Sequence, residues 1–123
     1  MKKIETNFAP SAIGPYSQAV EHNGILYASG QIPLSPKSGE IEAKTIEEQT
    51  EQVIENIKAV LSAAGTSIEN VVKTTCFLKD MSDFPAFNAV YAAHFTSKPA
   101  RSTVQVAALP KGALVEIEVT AAV

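Results

Sequence analysis

The chain of 123 residues has one cysteine, two histidines, no tryptophan and no long run of any one character. The single Cys76 rules out an internal disulfide and suits a reducing compartment. No apolar stretch approaches the roughly 20 residues that a spanning helix needs. None follows the charged start Met1-Lys2-Lys3-Ile4-Glu5-Thr6-Asn7 either, so neither an anchor nor a signal peptide is expected. Basic residues are too few and too scattered for a polyanion partner: 10 Lys and Arg stand against 13 Asp and Glu, for a net charge of −3. A phosphate-cradling glycine loop, CxxC and HExxH are all missing, and His22 and His94 stand alone in the sequence. These absences point to a cytoplasmic protein with no nucleic-acid or membrane partner, and with neither metal nor cofactor.

What is present is an ordinary globular composition, 46% hydrophobic and 19% charged, in one domain over residues 1–123. Asn23-Gly24 between the runs Tyr16–His22 and Ile25–Ser29 predicts a β-hairpin, because both turn residues tolerate positive φ. Lys2–Glu5 reads as a short strand ahead of it. Thr45 and Glu48 form a capping box. Val53, Ile57, Val60, Leu61 and Ala64 then recur at helical spacing up to Gly65.

A strand over Val71–Lys79 is expected to put Val72, Thr74, Cys76 and Leu78 on one face. Ser82 or Asp83 is expected to cap a second helix, with Pro85 in its first turn and Phe84, Phe87, Tyr91 and Phe95 along one side. The strand after Pro99, which should bias Lys98 toward extended backbone, places Arg101, Thr103 and Gln105 on one face. Ser102, Val104 and Val106 take the other, which reads as the core side. A last strand, Leu114–Val123, alternates Val115, Ile117, Val119 and Ala121 with Glu116, Glu118 and Thr120. The expected fold is α+β: a single mixed sheet with two helices on one face. The open face would carry Arg101, Thr103, Gln105, Glu116 and Glu118, and would call for a partner subunit.

Few residues carry chemistry: Tyr16 after Gly14-Pro15, Ser29 beside Gly30, Asn88, Arg101 and Glu116. Each has a plain reading too, as a rim aromatic, a strand-end hydroxyl, a helix amide, a solvated arginine and a solvated carboxylate. Cys76 reads as a buried, inert thiol. Spacing alone does not assemble them into a site.

Six short stretches do so by resemblance. Gly14-Pro15-Tyr16-Ser17-Gln18, Ser29-Gly30-Gln31-Ile32-Pro33, Lys73-Thr74-Thr75 with Lys79-Asp80, Asn88-Ala89-Val90-Tyr91, Pro99-Ala100-Arg101-Ser102 and Val115-Glu116-Ile117-Glu118 occur in order along the chain. Together they resemble the reactive-intermediate deaminase (Rid, YjgF-like) family, in its RidA-like enamine/imine deaminase branch. The resemblance covers nearly the whole length. It implies a chorismate-mutase-like homotrimer with sites in the clefts between subunits. It also implies Arg101 as the carboxylate-binding arginine and Glu116 as the water-positioning acid, with Tyr16, Ser29, Gly30 and Asn88 at other pocket positions. Thr103 stands two residues after the arginine, where many relatives have cysteine, and joins the substrate-binding set.

The implied activity is that of a 2-iminobutanoate/2-iminopropanoate deaminase. Such a hydrolase turns enamines and imines released by pyridoxal-phosphate enzymes, such as 2-aminoacrylate, into 2-keto acids and ammonia. A protonated imine is already electrophilic, so the reaction suits a site without metal. The alternative is a regulatory trimer that binds small anionic metabolites and docks on another enzyme or a repressor. A third reading, as a ribonuclease or translation inhibitor, fits the acidic balance least well.

Overall fold

A computed structural model describes residues 1–123. Six strands form one sheet: β1 (Lys2–Ile4), β2 (Ala19–His22), β3 (Ile25–Ala28), β4 (Val71–Leu78), β5 (Ala100–Gln105) and β6 (Val115–Ala122). Two helices, α1 (Ile46–Ala63) and α2 (Phe84–His94), lie on one face. The strand order is β1-β2-β3-β6-β4-β5, and only β4 and β5 run parallel, joined through α2. β6, the last strand in sequence, is inserted between β3 and β4 and pairs antiparallel with both. The expected mixed sheet with two helices on one side is the observed fold. No helix is long and apolar enough to cross a membrane.

Local chemistry sets the element ends. Asn23 (φ 53°) and Gly24 (φ 79°) are both left-handed, and His22 pairs with Ile25, so β2 and β3 close through the two-residue turn. At the start of α1 the Thr45 hydroxyl accepts from the Glu48 N–H at 3.1 Å and donates to the Glu48 carboxylate at 3.0 Å. At its end Gly65 (φ 80°) lets Thr66 N–H reach Leu61 C=O and Gly65 N–H reach Ser62 C=O, a Schellman closure. The core lies between the helices and the sheet. Val53, Ile54, Ile57, Val60 and Leu61 of α1 and Phe87 of α2 pack there on Leu26, Cys76, Leu78, Val115 and Ile117.

Four expectations are corrected. α2 is entered through a 3₁₀ turn over Met81–Asp83. Asp83 stands at the N-cap of α2 but its side chain makes no capping bond, and the capping carboxylate is that of Asp80, which accepts from Ser82 N–H at 2.9 Å at the start of the turn. Val72 does not share the face of Thr74, Cys76 and Leu78. The β4–β6 register slips between Val71 and Lys73, so Val71 is buried and Val72 half-exposed. Lys98 is left-handed (φ 57°), its N–H closing a turn onto Phe95 C=O at 3.2 Å, where the following proline predicted extended backbone.

The fourth correction concerns β5. Thr74, Cys76 and Leu78, fully buried under the helices, pair with Arg101, Thr103 and Gln105, so this polar strip faces the helix side. Val104, expected in the core, is 45% exposed on the open face. The alternation itself is as read; what it could not convey is which side α2 covers. β5 is an edge strand, and the flank of α2 and its entry turn supply polar and aromatic partners rather than a dry core.

Candidate active site

Arg101 is held by α2. Its Nη1 donates to Asn88 Oδ1 at 2.7 Å. Its guanidinium carbon lies 4.7 Å from the ring centre of Tyr91 and 5.4 Å from that of Phe84. No carboxylate comes within ion-pair distance; the close charged contacts are Lys58–Glu55, His94–Glu51 and Lys111–Glu40. A groove of about 640 Å³ opens beside it, lined by Asn88, Tyr91, Phe95, Lys98 and Arg101 among others, with no acidic residue in its wall. An unneutralised guanidinium with donors to spare, in a groove without carboxylates, is suited to an anionic ligand.

Thr103 follows Arg101 on the same strand face, beside Cys76 of β4. Its Oγ1 is buried and has no hydrogen-bond partner in the chain. Burial pushes the Cys76 thiol up to about 11, against opposing contributions from the Thr74 hydrogen bond, Arg101 and Thr103. The thiol is therefore neutral and unreactive near pH 7, as its place on an apolar strand face predicted.

Glu116 lies on the other face. It pairs with Phe77 of β4, while Ile117 and Val115 beside it point into the core. β4 separates β6 from β5, so Arg101 and Glu116 are two strands apart and on opposite sides of the sheet. The two residues expected to share an open face do not meet within one chain.

Glu116 is half-buried, and desolvation raises its carboxyl above the ordinary range, with the Glu118 charge pushing the same way. Its carboxylate rests against Gly30, where a Cβ would overlap it. Gly30 thus makes room for a side chain of its own subunit, a sharper reason for glycine than general closeness of approach. The loop that carries Gly30 is pinned by two backbone bonds between Gln31 and Ile117, of 2.9 and 3.1 Å. Buried Asn56 of α1 also donates to Ile32 and Leu34 C=O.

Ser29, the residue before Gly30, reaches across to the loop that carries Tyr16. The Ser29 hydroxyl donates to Ser17 C=O at 2.7 Å and its N–H to Gln18 C=O at 2.9 Å, so its proton is committed to holding the 14–18 loop. Tyr16, 54% exposed, lines a hollow of about 230 Å³ with Thr6, Ser17 and Gln18, in which neither Arg101 nor Glu116 takes part. Buried Gln18 organises this loop: its amide donates to Thr6, Ala9 and Pro10 C=O and accepts from Thr6 N–H. Gln18 and Asn56 are residues that sequence reasoning left without a role, and Tyr91 is one it read only as part of the apolar side of the second helix. A polar residue inside an apolar period is the signal that would have singled out Asn56.

The structure therefore joins Arg101, Asn88 and Thr103 on the helix side and Glu116 with Gly30 on the open side; Ser29, next to Gly30, is tied to the 14–18 loop that carries Tyr16. The comparisons with known proteins bear on the whole of this arrangement. The family described as Endoribonuclease L-PSP matches residues 6–123. AldR of Lactococcus lactis subsp. lactis, named as a candidate regulator, is 57% identical over 124 residues, covering 100% of this chain and 98% of its own. The crystal structure of RidA from an Antarctic Psychrobacter superposes with a TM-score of 0.95 at 46% identity over 100% of both chains. That of Escherichia coli TdcF with bound serine gives 0.94 at 44%, over 100% of this chain and 99% of that one. Family, relatives and fold agree along the full length, and the chain belongs to the Rid (YjgF/RutC) family.

Proposed function

We propose that the protein is a 2-iminobutanoate/2-iminopropanoate deaminase acting where the subunits of a homotrimer meet. Arg101 carries this reading: a guanidinium with no carboxylate of its own, facing a groove without acidic groups. A 2-imino acid supplies that carboxylate. Glu116 lies across the sheet from Arg101, so a site that uses both takes Arg101 from one subunit and Glu116 from another. The open sheet face, where Tyr27 and Val104 are about half-exposed, offers a surface for that contact.

In such a cleft Arg101 binds the substrate carboxylate and fixes the imine carbon. Glu116, whose carboxyl is held by burial above the ordinary carboxylate range and so makes a stronger base than a free carboxylate, takes a proton from the attacking water. The C–O bond forms, the C=N bond becomes single, and the proton passes to the nitrogen. The carbinolamine hydroxyl then gives its proton to the Glu116 carboxylate as the C=O bond forms, and the C–N bond breaks to release the 2-keto acid and ammonia. Such acid–base assistance is typically worth ~10²–10⁴ in rate. With its proton on Ser17, Ser29 contributes by holding the loop. Its remaining lone pair is open to a donor, such as the departing nitrogen.

A second reading, ligand binding without turnover, draws on the candidate-regulator name of AldR and the bound serine of TdcF. The ribonuclease reading asks for clustered cations, and the net charge of −3 speaks against it. The test generates 2-aminoacrylate with a serine-cleaving pyridoxal-phosphate enzyme and follows pyruvate and ammonia release. Acceleration that Arg101→Ala and Glu116→Gln each sharply reduce, without removing it, supports deamination. Saturable serine or keto-acid binding with no acceleration supports the second reading.

A further inference from the structure

We infer that Tyr91 is a positioning residue for Arg101, holding the guanidinium so that its uncommitted N–H groups are left to the groove. The kinetic part of this inference rests on the deaminase reading; the geometric part does not. An arginine on an exposed edge strand would, unaided, sample many rotamers and present its donors in no fixed direction. Here Phe84, Asn88 and Tyr91, spaced by four and three residues, form one stripe of α2, and all three meet the same guanidinium. Asn88 takes one N–H, and the ring of Tyr91 at 4.7 Å is the nearer of the two aromatic partners.

Tyr91 is itself fixed from two further directions. Its ring stacks on Phe95 at 4.3 Å with 22° between the planes, and its hydroxyl lies 2.8 Å from Thr74 Oγ1. Thr74 is the register partner of Arg101 on the neighbouring strand. The contacts therefore close a ring: Arg101 to Tyr91, Tyr91 to Thr74, and Thr74 back to Arg101 through the β4–β5 pairing. A tyrosine serving only the core would account for the burial and for the Thr74 bond. It would not account for an arginine over its face whose other contact comes from the same helical stripe.

The test is a double-mutant cycle on the full-length protein. Tyr91→Leu and Tyr91→Phe are each made with Arg101 present and with Arg101→Ala. With Arg101 present, Tyr91→Leu should raise KM about three- to thirty-fold while kcat changes less, and Tyr91→Phe, which keeps the aromatic face, should stay within about three-fold. With Arg101→Ala the leucine change should have no further effect. Equal losses in both backgrounds would overturn the inference. Should Tyr91→Leu fail to fold by circular dichroism, Phe84→Leu reports the same coupling through the second ring.

A readout independent of turnover is the ¹⁵N NMR signal of the Arg101 side-chain Nε–H. Ring currents should displace it from free arginine in the wild type and in Tyr91→Phe, and it should return toward free arginine in Tyr91→Leu. A displaced signal in a protein without deaminase activity would sink the deaminase reading and keep this one. An undisplaced signal in an active protein would do the reverse.

Discussion

At Arg101, a planar fork and a point charge are not interchangeable. Arg101→Lys keeps the cation but loses the geometry that Asn88 and Tyr91 engage. The loss of one hydrogen bond to a charged group costs roughly 1.5–3 kcal/mol, about ten- to a hundred-fold in kcat/KM for deamination. Equal activity of the two would mean that a diffuse positive charge suffices.

Glu116 makes a prediction with a sign. Its carboxyl titrates above the ordinary range because burial disfavours the charge, with Glu118 adding repulsion. The native state thus holds its proton more tightly than the unfolded chain. The associated stability is fully present below the ordinary carboxylate pKa and is lost as pH rises through the raised value. Glu118→Gln removes the second cause and should move both this stability loss and the acidic limb of the pH–rate profile to lower pH. Urea unfolding and kcat/KM against pH check the two effects. An upward shift of either would contradict the assignment.

Among the elements, α1 was the most legible because its ends are written locally. Thr45, Glu48 and Gly65 do in the structure what their residue types imply in any helix. Thr45→Ala should accordingly cost about 0.5–2 kcal/mol, read as a lower urea midpoint with an unchanged m-value. Strand β5 shows where such reading stops. Its alternation told which residues share a face, but the covered face is decided by where α2 lands, a long-range matter. The same limit separated Arg101 from Glu116, which a common polar pattern had placed together. Val72 fell to a single extra residue in the β4–β6 ladder, which nothing in its own neighbourhood announces. Among the candidate site residues, Arg101, Asn88 and Glu116 stood out through the motifs around them. The commitment of the Ser29 hydroxyl to Ser17 was not, since it depends on a loop folding back across twelve residues.

For the whole molecule, the sheet acts as a partition. Arg101 and its groove lie on one side, and Glu116 with its glycine neighbour on the other. If function needs both, two strongly impaired variants can repair each other. Arg101→Ala subunits and Glu116→Gln subunits, unfolded together and reassembled at equal ratio, should recover about a quarter of the wild-type rate. In a head-to-tail ring, that is the share of junctions with both native residues. No recovery, with mixed trimers confirmed by native mass spectrometry, would place both groups in one subunit's site.

On the proposed two-subunit site, the partition would also leave the lone subunit chemically silent. A newly made chain would have the correct fold and a ready groove for anions, yet no catalysis until it met its copies. Activity per milligram should then fall on dilution below the assembly constant, and return on concentration without any refolding step. A cell could hold such a chain in reserve simply by keeping it scarce.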